Sequence, residues 1–107
     1  MTTVNISSAA YERVVSKYDV VVIDFWAEWC GPCQQYKPVF EEAGNENSDA
    51  SVLFAKCNTE KEQELAARFS IRSIPTTVIL KNGEVMEKKL GAMSKSDLQQ
   101  TVLAYTS

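Results

Sequence analysis

The hydrophobic positions of this chain change period several times, and each change marks an element. Val4-Asn5-Ile6 reads as a short strand, after which Ser7 or Ser8 can cap a helix through Lys17. That helix would present Tyr11, Val14, Val15 and Tyr18 as one stripe. Val20-Val21-Val22-Ile23-Asp24-Phe25-Trp26-Ala27 is almost unbroken in apolar and β-branched residues, the pattern of a strand covered by helices on both faces. Beyond Cys30-Gly31-Pro32-Cys33 a helix is predicted, with Pro32 in its first turn and Tyr36, Val39, Phe40 and Ala43 at helical spacing. Pro38 falls inside it and predicts a kink. Gly44 to Ser51 is polar and reads as the helix end and a loop.

Val52 to Cys57 predicts a second interior strand, and Glu60 to Phe69 a helix with Leu65, Ala66 and Phe69 facing inward. The runs Thr76–Lys81 and Glu84–Leu90 flank Asn82-Gly83, a two-residue hairpin signal that makes these strands antiparallel. Ser94-Lys95-Ser96-Asp97 has the form of a capping box and opens a last helix presenting Leu98, Val102 and Tyr105. The order β-α-β-α-β-α-β-β-α predicts an α/β fold, a central mixed sheet of about five strands flanked on both faces by about four helices. No linker or repeat interrupts it, so residues 1–107 read as one domain. In such a sheet a site belongs where a strand hands over to a helix.

Composition narrows the chemistry. At 107 residues, 45% hydrophobic and 23% charged, the chain can bury one core. A net charge of -3 with scattered lysines and arginines gives no positive field for a phosphate backbone, so nucleic acid is not an expected partner. No window approaches the roughly 20 apolar residues of a membrane span. Met1-Thr2-Thr3-Val4 lacks the basic and apolar regions of an export signal, and the expected location is the cytoplasm. The absence of histidine excludes Ser/His and Cys/His catalysis and imidazole metal ligation. Cys30, Cys33 and Cys57 would need carboxylate or water to complete a zinc site, so no metal is expected. Gly31, Gly44, Gly83 and Gly91 are too dispersed for a nucleotide-binding loop, so no cofactor is expected either.

Cys30 and Cys33 are three apart at the start of a predicted helix, which brings their side chains to one face and within reach of a disulfide. Cys30 would stand at the helix N-terminus, where free N–H groups and the macrodipole favour a thiolate, and so is the better nucleophile. Cys33, one turn deeper, can attack a mixed disulfide formed on Cys30. Gly31 leaves the backbone open to an approaching chain, and Pro32 stiffens the turn. The spacing alone is shared with half zinc sites and ordinary loops. A zinc module, and a docking module in which the dithiol is only a redox tag, remain as competing readings. The single pair between a buried-type strand and a helix favours redox chemistry.

Other residues also have two readings at this level. Asp24 is the only charge in its strand and shares a face with Val22 and Trp26; it is either a buried carboxyl with a raised pKa or an ordinary partner of a lysine. Trp26 and Trp29 are core packing or part of the site. If Lys56 points toward Asp24, Cys57 lies on the opposite sheet face and reads as a buried structural thiol. Pro75 taken alone would be trans, since only about 5–6% of X–Pro bonds are cis.

Asp24-Phe25-Trp26-Ala27-Glu28-Trp29-Cys30-Gly31-Pro32-Cys33 resembles the active-site signature of the thioredoxin family. Pro38 resembles the kink proline of that family's active-site helix, and Arg72-Ser73-Ile74-Pro75-Thr76 its cis-proline loop. Lys81-Asn82-Gly83-Glu84 and Gly91-Ala92 resemble its last hairpin and the glycine beyond. The resemblance spans essentially the whole chain. It implies the thioredoxin fold and a protein-disulfide reductase, an electron carrier in cell redox homeostasis that works by dithiol-disulfide exchange as a monomer. Its partners would be disulfide-containing substrate proteins and a thioredoxin reductase, fed by NADPH in most lineages.

The resemblance further implies that Asp24 accepts and returns the proton of Cys33, with Lys56 modulating it. Pro75 would be cis and face the dithiol, with the Ile74 backbone pairing to an extended substrate segment. Trp29, Gly31, Pro32, Ile74, Gly91 and Ala92 would form an apolar patch around the thiols. Two positions depart from the family pattern. Gln34 and Gln35 stand where many relatives carry a basic residue, and Ser73 replaces a glycine often found before the cis-proline pair. Both bear on redox poise and partner choice.

Overall fold

Five strands form one mixed sheet in a computed structural model that describes residues 1–106. Its middle is β2 (Val20–Trp26), paired in parallel with β3 (Val52–Asn58) and antiparallel with β4 (Thr76–Lys81). The short β1 (Val4–Asn5) closes one edge beside β3, and β5 (Glu84–Leu90) closes the other beside β4. With a neighbour on each side and helices above and below, β2 has no solvent-facing row, which is why its sequence is apolar without alternation. The Asn82-Gly83 hairpin forms where predicted, both residues at positive φ, as a two-residue turn matching the strand twist requires.

Helices α1 (Tyr11–Lys17) and α3 (Gln63–Arg68) cover one face, over Val21, Ile23, Phe25, Ala55 and Cys57. Helices α2 (Gly31–Glu46) and α4 (Lys95–Leu103) cover the other, over Val20, Val22, Val52, Phe54 and Ile79. Tyr36, Phe40 and Ala43 form the buried stripe of α2, and Leu98 and Val102 that of α4. Ser94 caps α4, its side chain accepting from the Asp97 N–H, a cap that stabilises by about 1 kcal/mol. Among the described residues no helix is long and apolar enough to cross a membrane.

Strand ends differ from the sequence reading by at most one residue, and helix boundaries by more. Helix α1 starts at Tyr11 rather than after Ser7 or Ser8: Ser7 Oγ caps only a turn, accepting from Ala10 N–H, and Ser8 N–H is taken by Glu62 Oε1. Helix α2 runs past Gly44 to Glu46. Gly44 is there for close approach, since a Cβ would lie 2.5 Å from Thr3 Cγ2 and 3.2 Å from Phe54 Cβ. Helix α3 starts at Gln63 rather than Glu60, because Asn58 Oδ1 accepts from the Glu60 and Lys61 N–H groups and holds them in a turn. Tyr105 lies beyond α4, yet packs on the same core and donates to Glu87 Oε2. The polar loop after α2 is satisfied locally: Asn47 Nδ2 donates to the Val52 carbonyl, and Asp49 Oδ1 accepts from Ser51.

Candidate active site

The site is at the end of β2, where the chain turns into α2. Cys30 is the N-cap of that helix and Gly31 its first residue, with Pro32 following where no N–H is needed. Cys30 and Cys33 are paired as a disulfide with Cα atoms 5.2 Å apart, within the range such a bridge needs. Cys33 N–H donates to Cys30 Sγ at 3.2 Å. The helix therefore directs a backbone donor and the positive end of its dipole at Cys30 sulfur, and both favour a thiolate once the bridge is reduced.

Cys30 is 5% exposed and Cys33 2%, packed with Ala27, Trp26 and Ile74. Around them Trp29 is 70% exposed, and Gly31 and Pro32 also face solvent. The Ile74–Pro75 peptide bond is cis, and the Ile74 carbonyl oxygen is 3.7 Å from Cys30 Sγ. Gly91 N–H donates to the Pro75 carbonyl at 2.8 Å, which brings Gly91 and Ala92 beside this loop. The cis Ile74–Pro75 loop, held by Gly91, thus meets the turn that carries Cys30 and Cys33. The departures from the family pattern, Gln34, Gln35 and Ser73, are exposed; Gln34 Nε2 donates to the Glu28 carbonyl, and the Ser73 carbonyl accepts from Thr76 Oγ1.

Asp24 is on the α2 face of β2, 2% exposed, and among the described residues its Oδ1 has no hydrogen-bond partner. Burial pushes its carboxyl up to about 7; nearby Lys56 pulls it down and Glu41 pushes it up. Lys56 is its register neighbour on β3, but its ammonium makes an ion pair with Glu41 Oε2. Glu41 escaped the sequence reading. It follows Phe40 on α2 as the first of two glutamates, and only the strand register places one of them over Lys56. Tyr36 is on the predicted stripe of α2, but its pairing with Thr77 has no signal in the sequence. Their hydroxyls are 2.9 Å apart in the core, and burial raises the Tyr36 phenol above its ordinary value.

Cys57 points the other way, into the core under α1 and α3, with 0% exposure, as its parity predicted. Burial, followed by Glu62 and Asp24, pushes its thiol up to about 12. Among the described residues no three His, Cys, Asp or Glu side chains gather to hold a metal ion.

A family model described as Thioredoxin matches residues 2–104. The chain belongs to the thioredoxin family. It is 38% identical over its full length to a thioredoxin of Porphyra purpurea, also covered in full, and 40% identical over 88% of both chains to one of Haemophilus influenzae. Among solved structures, a thioredoxin of Malassezia sympodialis superposes with a TM-score of 0.87 at 34% identity, covering 100% of this chain and 92% of that one. A mutant thioredoxin of Halobacterium salinarum gives the same score at 31% identity, covering 98% and 90%. The mixed sheet with its four helices is the thioredoxin fold. As a thioredoxin-family member with Cys30-Gly31-Pro32-Cys33 at this site, the protein is a thiol-disulfide oxidoreductase that reduces disulfides in proteins by dithiol-disulfide exchange. Disulfide-containing proteins and a reductase are its general classes of partner.

Proposed function

We propose that Cys30 is the nucleophile, Cys33 the resolving thiol and Asp24 the proton partner of Cys33 in this exchange. The Cys30 thiolate attacks a substrate disulfide, forming a mixed disulfide and expelling one substrate thiolate. Cys33 then gives its proton to the Asp24 carboxylate and attacks Cys30 Sγ. The Cys30–Cys33 disulfide forms, the second substrate thiolate leaves, and two electrons have passed from the dithiol to the substrate. A carboxyl poised at about 7 suits that duty, because at neutral pH both of its forms are populated. Lys56 modulates it.

The Ile74 backbone and the patch of Trp29, Gly31, Pro32, Pro75, Gly91 and Ala92 would hold an extended substrate segment against Cys30. The observation that carries this reading is the Cys33 N–H directed at Cys30 sulfur at the start of α2, with the Ile74 carbonyl 3.7 Å away on the open side. We also infer that the protein is one domain acting as a monomer in the cytoplasm, as an electron carrier recycled by thioredoxin reductase. Proteins kept reduced are characteristic of that compartment.

The test is reduction of an exposed disulfide in a model protein with dithiothreitol as electron source. The expected result is turnover by the native protein and none by Cys30→Ser; equal turnover by the two would overturn the assignment.

A further inference from the structure

Lys56 lies directly across from Asp24 in the parallel register of β2 and β3, on the same face of the sheet. An ammonium beside a buried carboxylate is its natural counter-ion. Yet Lys56 Nζ bonds to Glu41 Oε2 on α2, while Asp24 Oδ1 is left without a hydrogen bond. We propose that Glu41 is a positioning residue for the proton step: by holding the Lys56 ammonium, it keeps the Asp24 carboxyl free to exchange a proton with Cys33. The inference rests on the reading of Asp24 as the proton partner of Cys33.

The surroundings leave few other candidates. From α2, Cys33, Tyr36 and Glu41 belong to this side of the sheet; β3 contributes Lys56 and β4 contributes Thr77. Tyr36 and Thr77 satisfy each other, and α4 presents the apolar Leu98 and Val102. Cys57 lies on the far face. Among the described residues, Lys56 and Glu41 are therefore the two full charges that act on Asp24, one in each direction.

The Lys56 side chain is only 14% exposed, so its ammonium needs a partner within the fold. With Glu41 neutralised, its flexible stem can turn to the remaining anion, Asp24. An ion-paired carboxylate is a weaker base, and a close opposite charge lowers a carboxyl by about 1–3 units. Glu41 thus sets how much of the Lys56 charge Asp24 feels.

The test uses Glu41→Gln in the reduced full chain, with the Asp24 carboxyl followed by carbon NMR and the rate of disulfide reduction measured across pH. The Glu41 side chain is 35% exposed on the outside of a helix, which makes the isosteric amide tolerable. The Asp24 midpoint is expected to fall by about one unit, with the acid limb of the rate profile following it. Glu41→Asp should restore most of both. In a Lys56→Met background, Glu41→Gln should move the midpoint less than half as far. An unmoved midpoint in Glu41→Gln overturns the proposal. So does an equal shift with and without Lys56, which would mean that Glu41 acts by its own field. A shifted midpoint with an unshifted rate profile would instead overturn the role of Asp24 and leave the ion-pair geometry standing.

Discussion

Cys57 on β3 and the Cys30–Cys33 pair at the start of α2 are almost equally removed from water, at 0%, 5% and 2% exposure. Burial therefore does not separate the reactive thiols from the inert one; what each sulfur meets inside does. Cys30 caps a 16-residue helix and receives an N–H from Cys33. Cys57 is enclosed by Ala55, Leu65 and other apolar neighbours, and the charges of Glu62 and Asp24 both oppose a thiolate there. One environment supplies donors where negative charge develops, whereas the other supplies only desolvation and repulsion. A thiol in this fold becomes chemical through its address on a helix end.

The largest effect should come from Cys33→Ser. Turnover is expected to fall on the order of a thousandfold, as for loss of an essential reacting group, while the Cys30–substrate mixed disulfide accumulates and is visible by mass spectrometry. Resolution by Cys57 in its place would break the comparison.

The next effect concerns Asp24. Its folded value of about 7 exceeds its unfolded value near 3.8, so between those pH values the folded state holds the extra proton, and stability declines as pH rises through the window. Asp24→Asn removes that loss and should add up to about 4 kcal/mol near pH 8, with little change near pH 3. Urea unfolding at both pH values measures it, and an equal effect at both would show that desolvation of the charge is not the cause.

The smallest effect should come from Cys57→Ala, with stability lower by about 1–2 kcal/mol from the small void and turnover within about twofold of the parent. In the reduced native protein, alkylation should reach Cys30 long before Cys57, and urea should abolish the difference.

The sheet was legible because its signals are local and strong. β2 showed as an unbroken apolar run, and β4 and β5 as two runs about Asn82-Gly83. Helix boundaries were less legible wherever a distant residue decides them. Glu62 reaches across 54 positions to the Ser8 N–H, and Gly44, which locally signals a helix end, lies within α2 at a point where Thr3 and Phe54 leave no room for a Cβ. The Cys30–Cys33 pair stands in one short stretch of sequence, and the proposed docking residues are read through family resemblance. Glu41 is legible in neither way, since its role depends on a helix crossing a strand at one register position, and the sequence shows only two adjacent glutamates.

The antiparallel pairing of β4 has a consequence for the order in which the molecule becomes functional. Because β4 runs against β2, its first residues arrive where β2 ends, and Ile74 meets Cys30 across 44 positions of chain. Cys30 and Cys33 lie in the first third of the polypeptide and the proposed docking loop at Ile74–Pro75 in the last third. A nascent or half-folded chain thus owns its sulfurs but has no shelf on which to receive a partner, and contacts of this sequence separation close late. On the proposed docking role of this loop, selective binding is expected only once the sheet is complete.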